Sequence, residues 1–258
     1  MYPVLIKIGP FTLYSYGALL VVAFYLSILL ARIESKKVID PQVVLDIALL
    51  VLFSGIVGGK LAYIIFHLPL YIKNPLDINL WRAGFIFHGG LFLSIVTTFL
   101  YTKKKNISFL YVADFLIPYV TLGQAIGRIG CFLNGCCYGK PTDLPWGMRF
   151  PLSSPAGYHY GALPLHPTQL YSSLFLFVLF LFLRYLKLHQ KFEGETFLFY
   201  FLLYSPFRFF MDFLRGDNLG TTMFRYLSPL QGVSAGIFIV STTLFVVRMK
   251  RSTKASTD

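Results

Sequence analysis

Arg128 stands in the run Gly-Arg-Ile-Gly-Cys-Phe-Leu-Asn-Gly-Cys-Cys-Tyr-Gly, Gly127–Gly139, at the end of a long apolar stretch. Four glycines and the Asn134-Gly135 pair predict a backbone that is bent and closely approached rather than simply helical. A guanidinium placed where hydrocarbon gives way to headgroup costs free energy unless an anion meets it, and a lipid phosphate is the natural partner. Arg208, Asp212 and Arg215 follow at i, i+4 and i+7, which puts them on one helical face, with Asp217 just beyond. His88 lies in Phe-His-Gly-Gly-Leu, at the start of an apolar stretch, and an imidazole with an ordinary pKa of about 6.5 suits a general base. Tyr14 and Tyr16 lie in Leu-Tyr-Ser-Tyr-Gly, and His166 and Gln169 in His-Pro-Thr-Gln-Leu-Tyr. Guanidinium forks and a base are what charge stabilisation on a phosphate and activation of a nucleophile require. Each residue also has a plainer reading: tyrosines as interfacial anchors, Arg208 with Asp212 as a bundle ion pair, Arg128 as a snorkelling cation.

The elements that must position these groups are membrane spans. Mean hydropathy is +0.65, 56% of residues are apolar and only 13% are charged, against about 25% charged in a soluble domain. Seven segments are expected to cross a core of about 30 Å, which takes about 20 helical residues: Ser15–Ile33, Val43–Phe66, Ile86–Tyr101, Phe109–Arg128, Thr168–Leu188, Thr196–Leu214 and Leu230–Val247. Met1–Thr12 lacks the basic start of a cleavable signal peptide, so the first segment is expected to stay as a span. Basic clusters follow alternate spans: Arg32, Lys36 and Lys37; Lys103–Lys105; Arg184, Lys187 and Lys191; Arg248, Lys250, Arg251 and Lys254. They hold more than half of the 23 lysines and arginines and mark the cytoplasmic side, with the amino terminus outside. This bias accounts for the net charge of +12 without invoking nucleic acid. The expected fold is therefore an all-α polytopic membrane protein with seven transmembrane helices and a cytoplasmic carboxyl terminus. One domain covers residues 1–247, and the tail 248–258 is basic, polar and expected to be disordered. The proline- and glycine-rich segment 134–167 is expected to form a small extracytoplasmic loop subdomain with one or two short strands. On this topology Tyr16, His88, Arg128, His166, Gln169, Arg208 and Asp212, from different spans, gather at the outer depth, and that convergence favours a functional site.

The cysteines point less clearly. Cys131, Cys136 and Cys137 are spaced Cys-x4-Cys-Cys, without paired Cys-x-x-Cys units or a nearby histidine, so they resemble a metal site only loosely. They are read as small packing residues.

Taken together, Phe-His-Gly-Gly-Leu, the Gly127–Gly139 run, His-Pro-Thr-Gln-Leu-Tyr and Phe-Arg-Phe-Phe-Met-Asp-Phe-Leu-Arg-Gly-Asp resemble the phosphatidylglycerol–prolipoprotein diacylglyceryl transferases, over nearly the whole chain. The resemblance implies an enzyme of the bacterial cytoplasmic membrane with its site towards the outer leaflet. It would move a diacylglyceryl group from phosphatidylglycerol to the lipobox cysteine of a preprolipoprotein, without metal or cofactor, and a monomer is expected. It implies catalytic roles for His88, Arg208 and Tyr16, and substrate contacts for Arg128, Asn134, Gly139, Asp212, Arg215 and Gln169. Asp212 stands where the family usually has Glu, Cys131 where Asn is common, Cys136 where Glu is common, and Ser172 where Glu is usual. Two other readings stay open: a family member that binds lipid or prolipoprotein without catalysis, and a transporter whose buried charges line a substrate path.

Overall fold

The computed structural model describes residues 3–9, 11–36, 38–74, 77, 78, 81, 84–217 and 227–255. A two-stranded hairpin, β1 (Val4–Ile8) and β2 (Phe11–Tyr14), comes first and leads directly into helix α1 (Ser15–Ser35). Then follow α2 (Pro41–Phe66), the short α3 (Leu68–Lys73), α4 (Phe87–Lys104), α5 (Phe109–Asn134), the short α6 (Pro155–Tyr160), α7 (Thr168–Leu188), α8 (Glu195–Leu214) and α9 (Pro229–Ala255). Among the described residues, six of these (α1, α2, α5, α7, α8 and α9) are long and apolar enough to cross a membrane. The chain is thus a multi-pass membrane protein. The third expected span is also a helix, α4, but its 18 residues open on His88-Gly-Gly and close on Lys103 and Lys104, so it is shorter and more polar than the rest.

Packing divides the chain into two compact units, Met1–Leu30 with Ala113–Asp258, and Ala31–Val112. In the second, α2 crosses α4 at bare backbone. A methyl group on Gly89 would lie 2.6 Å from the Gly58 carbonyl oxygen, and one on Gly90 would lie 2.5 Å from that of Gly55. Small residues let apolar helices approach this closely, which is how helices associate where lipid removes the hydrophobic drive. The glycines after His88 are therefore packing surface. Polar contacts join the same pair: Ser54 Oγ donates to Ser94 Oγ at 3.1 Å, and the Tyr101 hydroxyl donates to Asp46 at 2.6 Å. Asp40 starts α2 by accepting the Gln42 amide at 2.8 Å, with Pro41 at the first helical position.

In the larger unit α5 is central: half of its apolar stretch is buried, against 11% for α1. Glycines on α5 seat α1, with Gly123 facing Ser27, Gly127 facing Leu20 and Gly130 facing Tyr16, so the two helices run antiparallel. On another side α5 meets α7 and α8 through buried Ile117, Leu179, Leu183 and Tyr200. Asp114, itself buried, reaches across to the start of α8 and accepts the amides of Gly194 at 2.5 Å and Phe197 at 2.8 Å. A carboxylate there satisfies amides that have no partner within the helix and opposes the positive end of its dipole. Much of α1 and α9 leaves large apolar side chains exposed, Val21, Tyr25, Ile239 and Val240 among them, as lipid-facing helices do.

Three expectations shift. Helix α5 runs through Arg128 to Asn134, so the glycines flanking Arg128 are closely approached but helical, and the bend comes at Gly135, whose φ is +71°. Between Asn134 and His166 the described backbone makes single-residue bridges, Pro141 with Leu165 and Met148 with Leu165, rather than strands. Tyr138, Phe150, Ala156 and Leu165 give this segment a small core of its own. The tail expected to be disordered is helical to Ala255, because α9 continues past Arg248.

Candidate active site

Two helical ladders build the site. On α5, Gln124 and Arg128 are one turn apart; on α8, Tyr200, Tyr204, Arg208 and Asp212 repeat every four residues and form one ridge. The Tyr200 hydroxyl donates to Gln124 Oε1 at 2.9 Å, and its ring stacks on Tyr204 at 5.3 Å. The Tyr204 hydroxyl is in hydrogen-bonding reach of the Arg128 guanidinium. With Asp114 at the start of α8, these rungs keep the same order along both helices, so α5 and α8 run parallel.

Arg208, one turn beyond Tyr204, pairs with Asp212 through Nη1 and Oδ1 at 3.1 Å. The other Asp212 oxygen accepts from Ser228 Oγ, at the foot of α9. Arg215 ends α8 and makes a two-pronged contact with Asp217, its Nε donating at 2.7 Å. Burial alone would lower the Arg215 pKa, but the bond to Asp217 outweighs it and holds the guanidinium above its ordinary value. Arg208 feels the charges of both Arg128 and Arg215. Three guanidinium groups thus share one neighbourhood and two have carboxylate partners. Among the described residues none pairs with Arg128.

Tyr16 comes to the same place from α1. Its ring lies against Gly130, where an added methyl would meet it at 3.3 Å, and Arg128 and the three cysteines are its electrostatic neighbours. The Cys131, Cys136 and Cys137 sulfurs all lie within 4.8 Å of one another, although nothing in their spacing announced it. Gln169 is fully buried at the start of α7; its Nε2 donates to the Cys136 carbonyl at 2.8 Å, while Oε1 has no partner among the described residues. Thr168 donates to the Cys137 carbonyl at 2.7 Å. Asn134 closes α5 beside Cys136.

Gly139 is where three backbones cross. Its amide donates to the His166 carbonyl at 3.0 Å, Lys140 donates to Leu214 at 2.8 Å, and Gly216 donates to Tyr138 at 3.0 Å. A methyl group on Gly139 would lie 2.5 Å from His166 Cβ and 2.6 Å from its carbonyl oxygen. Glycine is needed here for space, and the crossing fixes the ends of α5, α7 and α8 together. His166 itself faces Tyr171, its Nδ1 3.4 Å from the hydroxyl, and that hydroxyl accepts from Trp146 at 2.7 Å.

The larger unit therefore gathers Tyr16, Arg128, Arg208, Asp212 and Arg215 and ties Asn134, Gly139 and Gln169 into the adjoining loop. His88 belongs to the other unit, exposed in the first turn of α4 with its ring against Phe87. Sequence reading missed Tyr204, Tyr200, Gln124 and Ser228. The four-residue spacing that links Gln124 to Arg128, and Tyr200 and Tyr204 to Arg208, was the available signal for the first three.

The family described as prolipoprotein diacylglyceryl transferase matches residues 3–247. A phosphatidylglycerol–prolipoprotein diacylglyceryl transferase of Clostridium tetani is 37% identical, covering 98% of this chain and 100% of the relative. Its namesake in Bordetella avium is 35% identical over 98% of this chain and 96% of the relative. One from Fusobacterium nucleatum is 35% identical over 87% and 91%. Near-complete coverage at this identity leaves no part of the site outside the match, and the chain belongs to the prolipoprotein diacylglyceryl transferase family.

Proposed function

We propose that this chain transfers the diacylglyceryl group of phosphatidylglycerol to a cysteine thiol of a prolipoprotein. The sulfur attacks the glycerol carbon bonded to the phosphate oxygen; a carbon–sulfur bond forms, the carbon–oxygen bond breaks and glycerol 1-phosphate leaves. The observation that carries this reading is the charge balance of the arginine group. Asp212 and Asp217 offset two guanidiniums, and the third, Arg128, is left to meet one phosphodiester charge. As the ester breaks, the phosphate gains a second negative charge, which Arg128 and Arg208 stabilise by guanidinium hydrogen bonds in a site sheltered from water. Tyr16 donates to the headgroup, Asp212 keeps Arg208 in place, and Arg215 adds a further cation for the substrate. The thiol is a weak nucleophile until deprotonated, and His88 takes its proton. Asn134, Gly139 and Gln169 shape the loop that receives the substrate, the orphan Oε1 of Gln169 offering an acceptor.

The membrane arrangement that suits this chemistry has seven spans in one domain over residues 1–247, with α4 as the third. The amino terminus is outside, the 134–167 loop and the site are at the outer leaflet of the bacterial cytoplasmic membrane, and the 248–258 tail is inside. Parallel α5 and α8 support it, since the fourth and sixth of alternating spans must point the same way.

The test is incubation of the purified, detergent-solubilised protein with phosphatidylglycerol and a lipobox peptide, read by peptide mass. Arg128→Ala and Arg208→Ala are each expected to slow the mass gain a hundredfold or more, about 3 kcal/mol of transition-state stabilisation. Near-normal rates in both would remove the phosphate clamp. His88→Gln is expected to be as slow, and full activity there would leave the clamp standing without its base.

A further inference from the structure

Three sulfur atoms converge at the end of α5, and neither the clamp nor the base uses them. Cys131 lies in the last turn of the helix and is buried; Cys136 and Cys137 follow the bend at Gly135 and are half-buried. None is in a disulfide. Neighbouring residues in a chain ordinarily point apart, yet here both reach the same spot as Cys131. Cys137 does so in a left-handed backbone conformation, φ +58°, that residues other than glycine seldom adopt. Such an outlier persists only where its surroundings fix it. The fixing is visible: Gln169 and Thr168 hold the carbonyls of Cys136 and Cys137, and the Cys136 amide donates to the Cys131 carbonyl at 3.1 Å.

The spacing suits one kind of occupant. Three sulfurs each about 2.3 Å from a shared ion stand about 4.0 Å apart in a trigonal plane. The observed separations, all within 4.8 Å, lie close to that arrangement. We infer that Cys131, Cys136 and Cys137 form a three-sulfur site for a soft divalent metal ion of the zinc and cadmium class. On binding, the ion replaces the three thiol protons, which pass to solvent, with no change of oxidation state. A dication in three thiolates carries a net charge of −1. Arg215 and Arg128, whose charges reach Cys137, lower the cost of placing that charge there. The side-chain hydrogen bonds from Gln169 and Thr168 to the Cys136 and Cys137 carbonyls act on the ligand-bearing loop as outer-shell contacts do at metal centres, fixing ligand direction before the ion arrives. Soft thiolate ligands select this class over magnesium or calcium, which prefer oxygen. The site adjoins the proposed phosphate clamp, but its test reads metal binding and does not depend on transfer activity.

The experiment is titration of the reduced, full-length protein in detergent with cadmium(II) alone, following thiolate-to-metal charge-transfer absorption. The expected result is a band that saturates at one ion per chain, weakens in C131S, C136S and C137S, and vanishes in the triple variant. Magnesium at the same concentration should give none. Far-UV circular dichroism checks that the variants keep their helices. If they do not, alkylation of the unsubstituted protein decides instead: one equivalent of cadmium should slow maleimide labelling of Cys136 and Cys137 at least tenfold. A missing band, a band retained without the cysteines, saturation at one ion per two chains, or unprotected labelling each overturns the proposal. So does a mass deficit of two hydrogens in unreduced protein, which assigns a disulfide.

Discussion

Arg128 differs from its two neighbours in what surrounds it. Arg208 and Arg215 each face a carboxylate, whereas Arg128 has the Tyr204 hydroxyl. A neutral neighbour lies beside a guanidinium without cancelling its charge, so Tyr204 leaves the cation available. Tyr204→Phe is expected to lower kcat/KM for phosphatidylglycerol about tenfold, the scale of a hydrogen bond to a charged group, while thermal unfolding stays close to the parent. An unchanged rate would mean that Arg128 is held by other contacts. Most of the charged residues here were legible in the sequence, because a cation or carboxylate in an apolar span demands an explanation. Tyr204 was not. In a helix that reads Phe-Leu-Phe-Tyr-Phe-Leu-Leu-Tyr, a functional tyrosine has the same composition signal as a packed one. The cysteine cluster was hidden for another reason: a left-handed residue redirects a side chain, and single-sequence spacing carries no sign of it.

Helices were placed well wherever apolar length alone decides, as for α2, α7 and α8. Ends were placed less well. The fourth span was expected to stop at Arg128 because a cation marks the lipid boundary, yet α5 continues for another turn and a half and delivers Cys131 and Asn134. The hairpin β1–β2 had no clear signature, since its apolar residues read equally as the approach to a span. Element ends are instead set by the crossing at Gly139. Gly139→Ala is expected to destabilise the protein by about 1–3 kcal/mol, the usual cost of overpacking, seen as a lower unfolding midpoint in detergent. Gly17→Ala, in α1 with open space around its position, should leave the midpoint unchanged or slightly raised. Equal loss in both would mean that the crossing tolerates a methyl group.

For the whole molecule, the proposed orientation rests on the distribution of lysine and arginine. Reporter fusions after Lys105 and after Lys191 should show cytoplasmic activity, and one within the 134–167 loop should show external activity. The opposite pattern would turn the protein around and move the site to the inner leaflet. The contact of Asp114 with the start of α8 bears on the same question of depth. Fourteen residues separate Asp114 from Arg128, and fourteen separate Gly194 from Arg208. At 1.5 Å per residue each run is about 21 Å long. Bolted side by side at one end, the two struts bring Arg128 level with Tyr204, one turn short of Arg208. The altitude of both guanidiniums is thus surveyed from a carboxylate far below them, and loosening that bolt would tilt the proposed phosphate grip without touching any atom in it.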